Sequence, residues 1–185
     1  MQEQLRAVAD SLESAQSRLR RLSDKLSDGD WSKRPGPLRW SAAECVEHLN
    51  LTSKAYVPLL RDAVSRARKS GDPPRKHYRR DPLGWLFSMM IGPIRGLGKL
   101  HMPRVKTLPP FVPKAGRSRS DILSDFVRLQ AELAALIRSG DGLPLDGVKI
   151  VSPFGGRMKY SAYSALVIVE RHQHRHLQQA EEAAA

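Results

Sequence analysis

The chain has 185 residues, 41% of them hydrophobic, and a formal net charge of +12. This length suits one domain with a substantial core and is short for two, so we expect a single domain over residues 1–185. One cysteine excludes an internal disulfide, and no apolar run is long enough to cross a membrane. The N-terminus also lacks the apolar core of a secretory signal, and together these features predict a cytoplasmic protein.

The first helix is predicted from an apolar stripe that alternates by three and four residues and ends near Ser27. Its members are Leu5, Val8, Leu12, Ala15, Leu19, Leu22 and Leu26. The stripe fits the core of a helical bundle best. A coiled-coil partner would satisfy the same stripe, and a homodimer stays open.

The second helix is predicted to begin at residue 41. Ser41 is a good N-cap, Glu44 completes a capping box, and Trp40 can pack on the first turn. His48 then falls two turns into the helix, where the backbone is rigid. Pro58 lies further along the same helix and predicts a kink.

The positive charge is concentrated in one stretch. Between Arg66 and Arg119 lie 14 Lys and Arg residues, 2 acidic residues and 8 of the 13 prolines, whereas the rest of the chain holds 17 basic and 17 acidic residues. We therefore predict a basic, Pro-rich insertion at about residues 66–119. A connection of about fifty residues is longer than two adjacent antiparallel helices require. It permits a crossover that leaves helices two and three parallel.

Two parts of this insertion carry structural expectations. The apolar centre, residues 83–91, predicts a short helix or irregular flap that lies on the bundle and buries Trp85 and Phe87. Residues 104–113 have the composition of extended, polyproline-like chain.

The third helix is predicted from Ser118 or Ser120 to Ser139, with Gly140 as the signal of its end. A short apolar piece, residues 148–151, then leads to a turn and to a fourth helix over about residues 161–182. The pattern therefore predicts an all-α, four-helix protein.

The fourth helix carries three histidines. His172 and His176 are four residues apart and lie on one face, so both imidazoles could reach one metal ion. His174 lies about 200° around the helix and cannot join them. A solvated, His-rich helix end would show the same spacing, and the choice depends on a third ligand upstream.

Three motifs together resemble the DinB-like metal-binding proteins. They are Trp-Ser-x-x-Glu-x-x-x-His-Leu at residues 40–49, Pro-Phe-Gly at 153–155, and His-x-x-x-His-Leu-x-Gln at 172–179. The resemblance implies a four-helix bundle with a long crossover connection between helices two and three. It also implies that His48, His172 and His176 bind one divalent metal ion, for which Zn²⁺ or Ni²⁺ is the best match to three imidazoles.

Three protein ligands leave a coordination position open, which is typical of catalytic metal sites. The resemblance implies a small-molecule substrate and a metal-dependent S-transferase that uses a low-molecular-weight thiol such as bacillithiol, mycothiol or glutathione; a hydrolase is the other expectation. No catalytic residue beyond the ligands is identified. Cys45, one turn before His48, is a candidate extra ligand, although a single Cys is more often a small core residue.

The basic insertion has competing interpretations. It could bind nucleic acid or an anionic membrane surface in a non-catalytic binding module, with Tyr78, Trp85 and Phe87 beside the cations. We rank both partners below a small-molecule substrate, because no known DNA- or RNA-binding pattern is present and basic loops are often just solvated. Within the enzyme interpretation, the insertion is expected to form a lid whose cations attract an anionic substrate.

Overall fold

The computed structural model describes residues 1–92, 107–114 and 116–185. The elements are α1 (Glu3–Lys25), α2 (Asp28–Ser32), α3 (Ala42–Lys69), α4 (Pro82–Ile91), α5 (Arg119–Ser139) and α6 (Ala162–Ala183), with strands β1 (Lys149–Val151) and β2 (Lys159–Ser161). The prediction of an all-α fold is confirmed. In the described ranges no helix is both long and apolar enough to span a membrane.

The four long helices α1, α3, α5 and α6, here called the bundle, pack side by side. Both α1 and α3 contact α5 and α6. Lys54 binds Asp125 and Arg61 binds Glu132, at 2.7 and 2.9 Å. Because residue numbers rise together in these two ion pairs, α3 and α5 are parallel, as the predicted crossover requires.

The helix starts follow from local hydrogen bonds. The Ser41 hydroxyl accepts a hydrogen bond from the Glu44 backbone N–H, and the Glu44 carboxylate accepts one from the Ser41 N–H. The hydroxyls of Ser118 and Ser161 likewise accept a hydrogen bond from a backbone N–H in the first turn, and so cap α5 and α6. The predicted capping box is therefore present, and α3 continues through Pro58.

One pair of strands and the short helix α2 were not predicted from the sequence. Residues 149–151 form β1, which pairs antiparallel with β2, and Gly155 and Gly156 have φ of 90° and 72° in the turn between the strands. Gly140 ends α5 as predicted but keeps right-handed backbone angles. A Cβ there would lie 3.0 Å from the Leu145 side chain and 3.2 Å from the Leu136 carbonyl oxygen, so tight packing is the reason for glycine.

The insertion begins as a firmly packed segment. The buried Tyr78 ring stacks on Tyr163, with centroids 5.0 Å apart, and its hydroxyl donates to the Gly140 carbonyl at 3.4 Å. Residues 83–91 lie within α4, so of the two expected forms, a short helix or an irregular flap, the helix is present, and Phe87 packs against the core. The expected burial of Trp85 is wrong, because 51% of this residue is exposed.

The second half of the insertion is described only in part. Residues 104–106, which belong to the stretch predicted as extended chain, lie outside the described residues. Pro109–Phe111 form a single 3₁₀ turn, and the Phe111 side chain is buried. Tyr78 and Phe111 are both buried, so the described parts of the insertion on either side of residues 93–106 contribute side chains to the core. The lid stays a prediction from the sequence.

Asp81 joins α4 to the start of α6. Its carboxylate accepts hydrogen bonds from the Gly84 N–H (3.0 Å), the Ser161 N–H (2.8 Å) and the Ser164 hydroxyl (3.0 Å). Burial favours a higher pKa, but these hydrogen bonds outweigh it and lower the pKa of Asp81 to about 2. A Cβ at Gly84 would lie 2.4 Å from the Ser164 Cβ, so α4 lies unusually close to α6.

We expect Asp81→Ala to destabilise the fold by about 1–3 kcal/mol at neutral pH, since it removes an N-cap and hydrogen bonds to a charged group. The folded-state pKa is below the ordinary value of about 3.9. The contribution is therefore complete above that value and lost as the pH falls toward 2. Urea unfolding at several pH values measures it, with the exposed Asp72→Ala as control. A stability difference that does not shrink in acid would contradict this role.

Candidate metal centre

The structure brings together the three histidines that the sequence selected. His48 comes from α3, and His172 and His176 come from adjacent turns of α6. One ring nitrogen from each lies within 4.8 Å of the others. The Nε2 atoms of His48 and His172 are 3.3 Å apart. Each residue is less than a tenth exposed, so the cluster forms part of the interior between α3 and α6.

His174 lies on a different face of α6. Its Nε2 is 3.0 Å from the Ser11 hydroxyl and 3.1 Å from the Ser11 carbonyl oxygen, both on α1. The same hydroxyl donates to Glu170 at 2.7 Å. This ring therefore takes part in contacts between α1 and α6, as its position around the helix predicts.

Burial keeps the three imidazoles neutral. It lowers the pKa of His48 to about 4, and it lowers the pKa values of His172 and His176 well below the ordinary range, since a charged imidazolium loses its hydration there. The neighbouring imidazoles and Arg175 act on His172 and His176 in the same direction. Neutral rings offer a lone pair, which is the form that binds a metal ion.

The tautomer of His48 is set by a backbone contact. Its Nδ1 lies 2.8 Å from the Phe111 carbonyl oxygen. A carbonyl can only accept, so Nδ1 carries the proton and the lone pair of Nε2 points toward His172. Such a hydrogen bond is the usual partner of a metal-binding histidine. The role of Phe111 could not be predicted from the sequence, because this contact joins residues 63 apart and leaves no local pattern.

The spacing of one pair of ring nitrogens fits a small divalent ion. Two nitrogen ligands about 2.0–2.1 Å from one tetrahedral ion lie about 3.3–3.4 Å apart, which matches the His48–His172 separation of 3.3 Å. In addition, the buried Nδ1 of His176 has no hydrogen-bond partner among the described residues. A buried polar atom without a partner is costly, so this nitrogen indicates a partner that the described residues do not supply.

Aromatic side chains surround the cluster. The Trp40 ring centroid is 4.9 Å from that of His48 and 6.0 Å from that of His176. Phe154, in the turn before α6, has its centroid 5.5 Å from His172 and 5.1 Å from Phe111. Trp40, which the sequence placed on the first turn of α3, therefore contacts the candidate site. These rings limit the access of water to the imidazoles.

Cys45 belongs to the core beside the site. It is 1% exposed and packs with the hydrophobic cluster that includes Trp31 and Leu49. Burial raises its pKa to about 12, so its thiol stays protonated at neutral pH. Protonated sulfur is a poor metal ligand, and among the described residues Cys45 is not part of the histidine cluster.

These features define a helical protein with a buried three-histidine candidate metal site. The chain belongs to the DinB superfamily, whose family model matches residues 11–180. The matched range contains all three histidines and most of the bundle. No curated protein and no solved structure matches this chain.

Proposed function

We propose that the protein is a metal-dependent enzyme that acts on small molecules. The observation that carries the proposal is the convergence of three neutral, buried imidazoles, which would hold one divalent ion, Zn²⁺ or Ni²⁺, through His48, His172 and His176. Three protein ligands leave a position open for a reacting group. A bound ion would supply Lewis acidity, lowering the pKa of a coordinated water or thiol.

The surrounding residues have defined roles in this proposal. The Phe111 carbonyl orients His48, and helix α6 fixes His172 and His176 one turn apart. Trp40 and Phe154 would exclude water and contact the apolar part of a substrate. We propose thiol S-transfer with a low-molecular-weight thiol as the leading reaction, because it is the one that the DinB resemblance favours. Hydrolysis, with water at the open position, is the second.

The metal-loaded protein is expected to form thioether from an epoxide or activated aryl halide and one of three thiols: glutathione, mycothiol or bacillithiol. Chromatographic detection of the adduct measures the activity, and the same samples without thiol, supplied with an activated ester, test hydrolysis. His172→Ala should lose the activity and His174→Ala should keep it. Failure of every thiol and ester, or equal rates in the His172→Ala variant, would contradict the enzymatic proposal.

The alternative function, a non-catalytic module that binds nucleic acid, has less support than the enzymatic one. Tyr78, one of the aromatic residues beside the cations, is buried against Tyr163 and is unavailable to stack on bases. We therefore propose a small-molecule partner ahead of nucleic acid. The single domain, the cytoplasmic location and a homodimer remain predictions from the sequence.

A further inference from the structure

Helix α4 presents large apolar side chains away from the bundle. Those of Leu83, Trp85, Leu86, Met89 and Met90 are between 39% and 51% exposed. At 100° per residue these five positions span an arc of about 160°. The opposite side of the helix carries the buried Gly84 and Ser88. The outer face of α4, defined by these five residues, is therefore more hydrophobic than the face that contacts α6.

This arrangement is the reverse of an ordinary surface helix, whose polar side faces water. Residues 82–91 contain no charged side chain, so nothing within the helix compensates for the exposure. The close packing of Gly84 on Ser164 and the hydrogen bond from Arg171 Nε to the Ser88 carbonyl (2.9 Å) fix α4 in this orientation. A contiguous exposed apolar patch on a fixed element indicates a binding surface.

The charges near α4 indicate what this surface binds. Arg79 and Arg80 directly precede the helix and are exposed. Lys159 is exposed on β2, which contacts α4, whereas Lys149 is paired with the Asp81 carboxylate at 3.5 Å. An apolar face bordered by cations matches a partner that is apolar and anionic. A second copy of the chain would bring like charges together, which opposes a dimer through this face.

We propose that the outer face of α4 docks into the interface of an anionic lipid bilayer. Ten residues of helix extend about 15 Å, too short to cross a bilayer but sufficient to lie in its interface. Trp85 is suited to the headgroup level, and the neighbouring cations would contact anionic headgroups. The sequence ranked a membrane partner below a small-molecule substrate, and it separately predicted that Trp85 is buried against the bundle; Trp85 is instead 51% exposed.

The test is co-sedimentation of the full chain with vesicles of phosphatidylcholine alone or mixed equally with phosphatidylglycerol. The chain should bind the anionic vesicles, and binding should weaken as salt rises. Trp85→Ser/Met89→Ser should reduce partitioning by at least about tenfold. Val127→Ser, which alters a 51%-exposed apolar residue on α5, is the matched control and should bind normally. Arg79→Gln/Lys159→Gln should weaken binding to the anionic vesicles about fivefold per charge and leave binding to phosphatidylcholine vesicles unchanged.

Tryptophan emission gives a second measurement. It should shift to shorter wavelength on anionic vesicles in the intact chain and stay unchanged in the Trp85→Ser/Met89→Ser variant. The proposal is overturned if the intact chain does not bind anionic vesicles, or if Val127→Ser loses as much binding as Trp85→Ser/Met89→Ser. A lipid-free dimer that the α4 variant dissociates would also overturn it and assign the face to a second copy. Melting curves confirm that each variant is folded.

Discussion

Replacing His48, His172 or His176 with Ala should abolish stoichiometric metal binding, whereas His174→Ala should retain about one divalent ion per chain. The three rings share one buried site, while the His174 ring contacts Ser11 on α1. Mutations of residues that hydrogen-bond to metal ligands weaken metal affinity about 10–100-fold. Loss of a ligand should therefore weaken binding by at least about 100-fold.

Elemental analysis of protein purified without a histidine tag measures the effect, supported by titration with Zn²⁺ and Ni²⁺. His174→Ala is a matched control, because it makes the same substitution on the same helix. Helical content of each variant shows whether the fold survives. Equal metal loss in His174→Ala, or full occupancy in a His172→Ala/His176→Ala double variant, would contradict the assignment.

Removal of the metal should lower the melting temperature by about ten degrees. An ion bound by His48 and His172 would link α3 to α6, and it can bind only when the two helices are assembled. At free metal about 1,000 times the dissociation constant, such binding stabilises the folded state by about 4 kcal/mol. For a chain of this size, each kcal/mol shifts the melting temperature by about 2–4 °C.

Calorimetry of metal-loaded and chelator-treated protein measures this shift, with metal content determined on the same samples. The His48→Ala variant should melt at one temperature with or without chelator, because it has lost the site. His174→Ala should respond as the unchanged chain does. A melting temperature that is identical after complete demetallation would show that the ion does not link the helices.

The positions of the four long helices and of the three histidines could be predicted from the sequence, because they depend on contacts within one or two turns. The capping box joins Ser41 to Glu44, and His172 and His176 are separated by one helical turn. The pairing of these two with His48, 124 residues before His172, followed from the order of motifs shared with the DinB-like proteins. The structure places all three in one cluster.

The surroundings of the histidines were decided by tertiary structure. The hydrogen bond from His48 to the Phe111 carbonyl and the contact of Phe154 with His172 join segments that no local pattern connects. The β1–β2 pair was missed because three-residue strands are too short for a periodic signal. The outward face of α4 could not be predicted either. An apolar run indicates that a segment is hydrophobic, but it does not indicate which side of the segment neighbouring elements cover. Here the contact of Gly84 with Ser164 turned Trp85 outward.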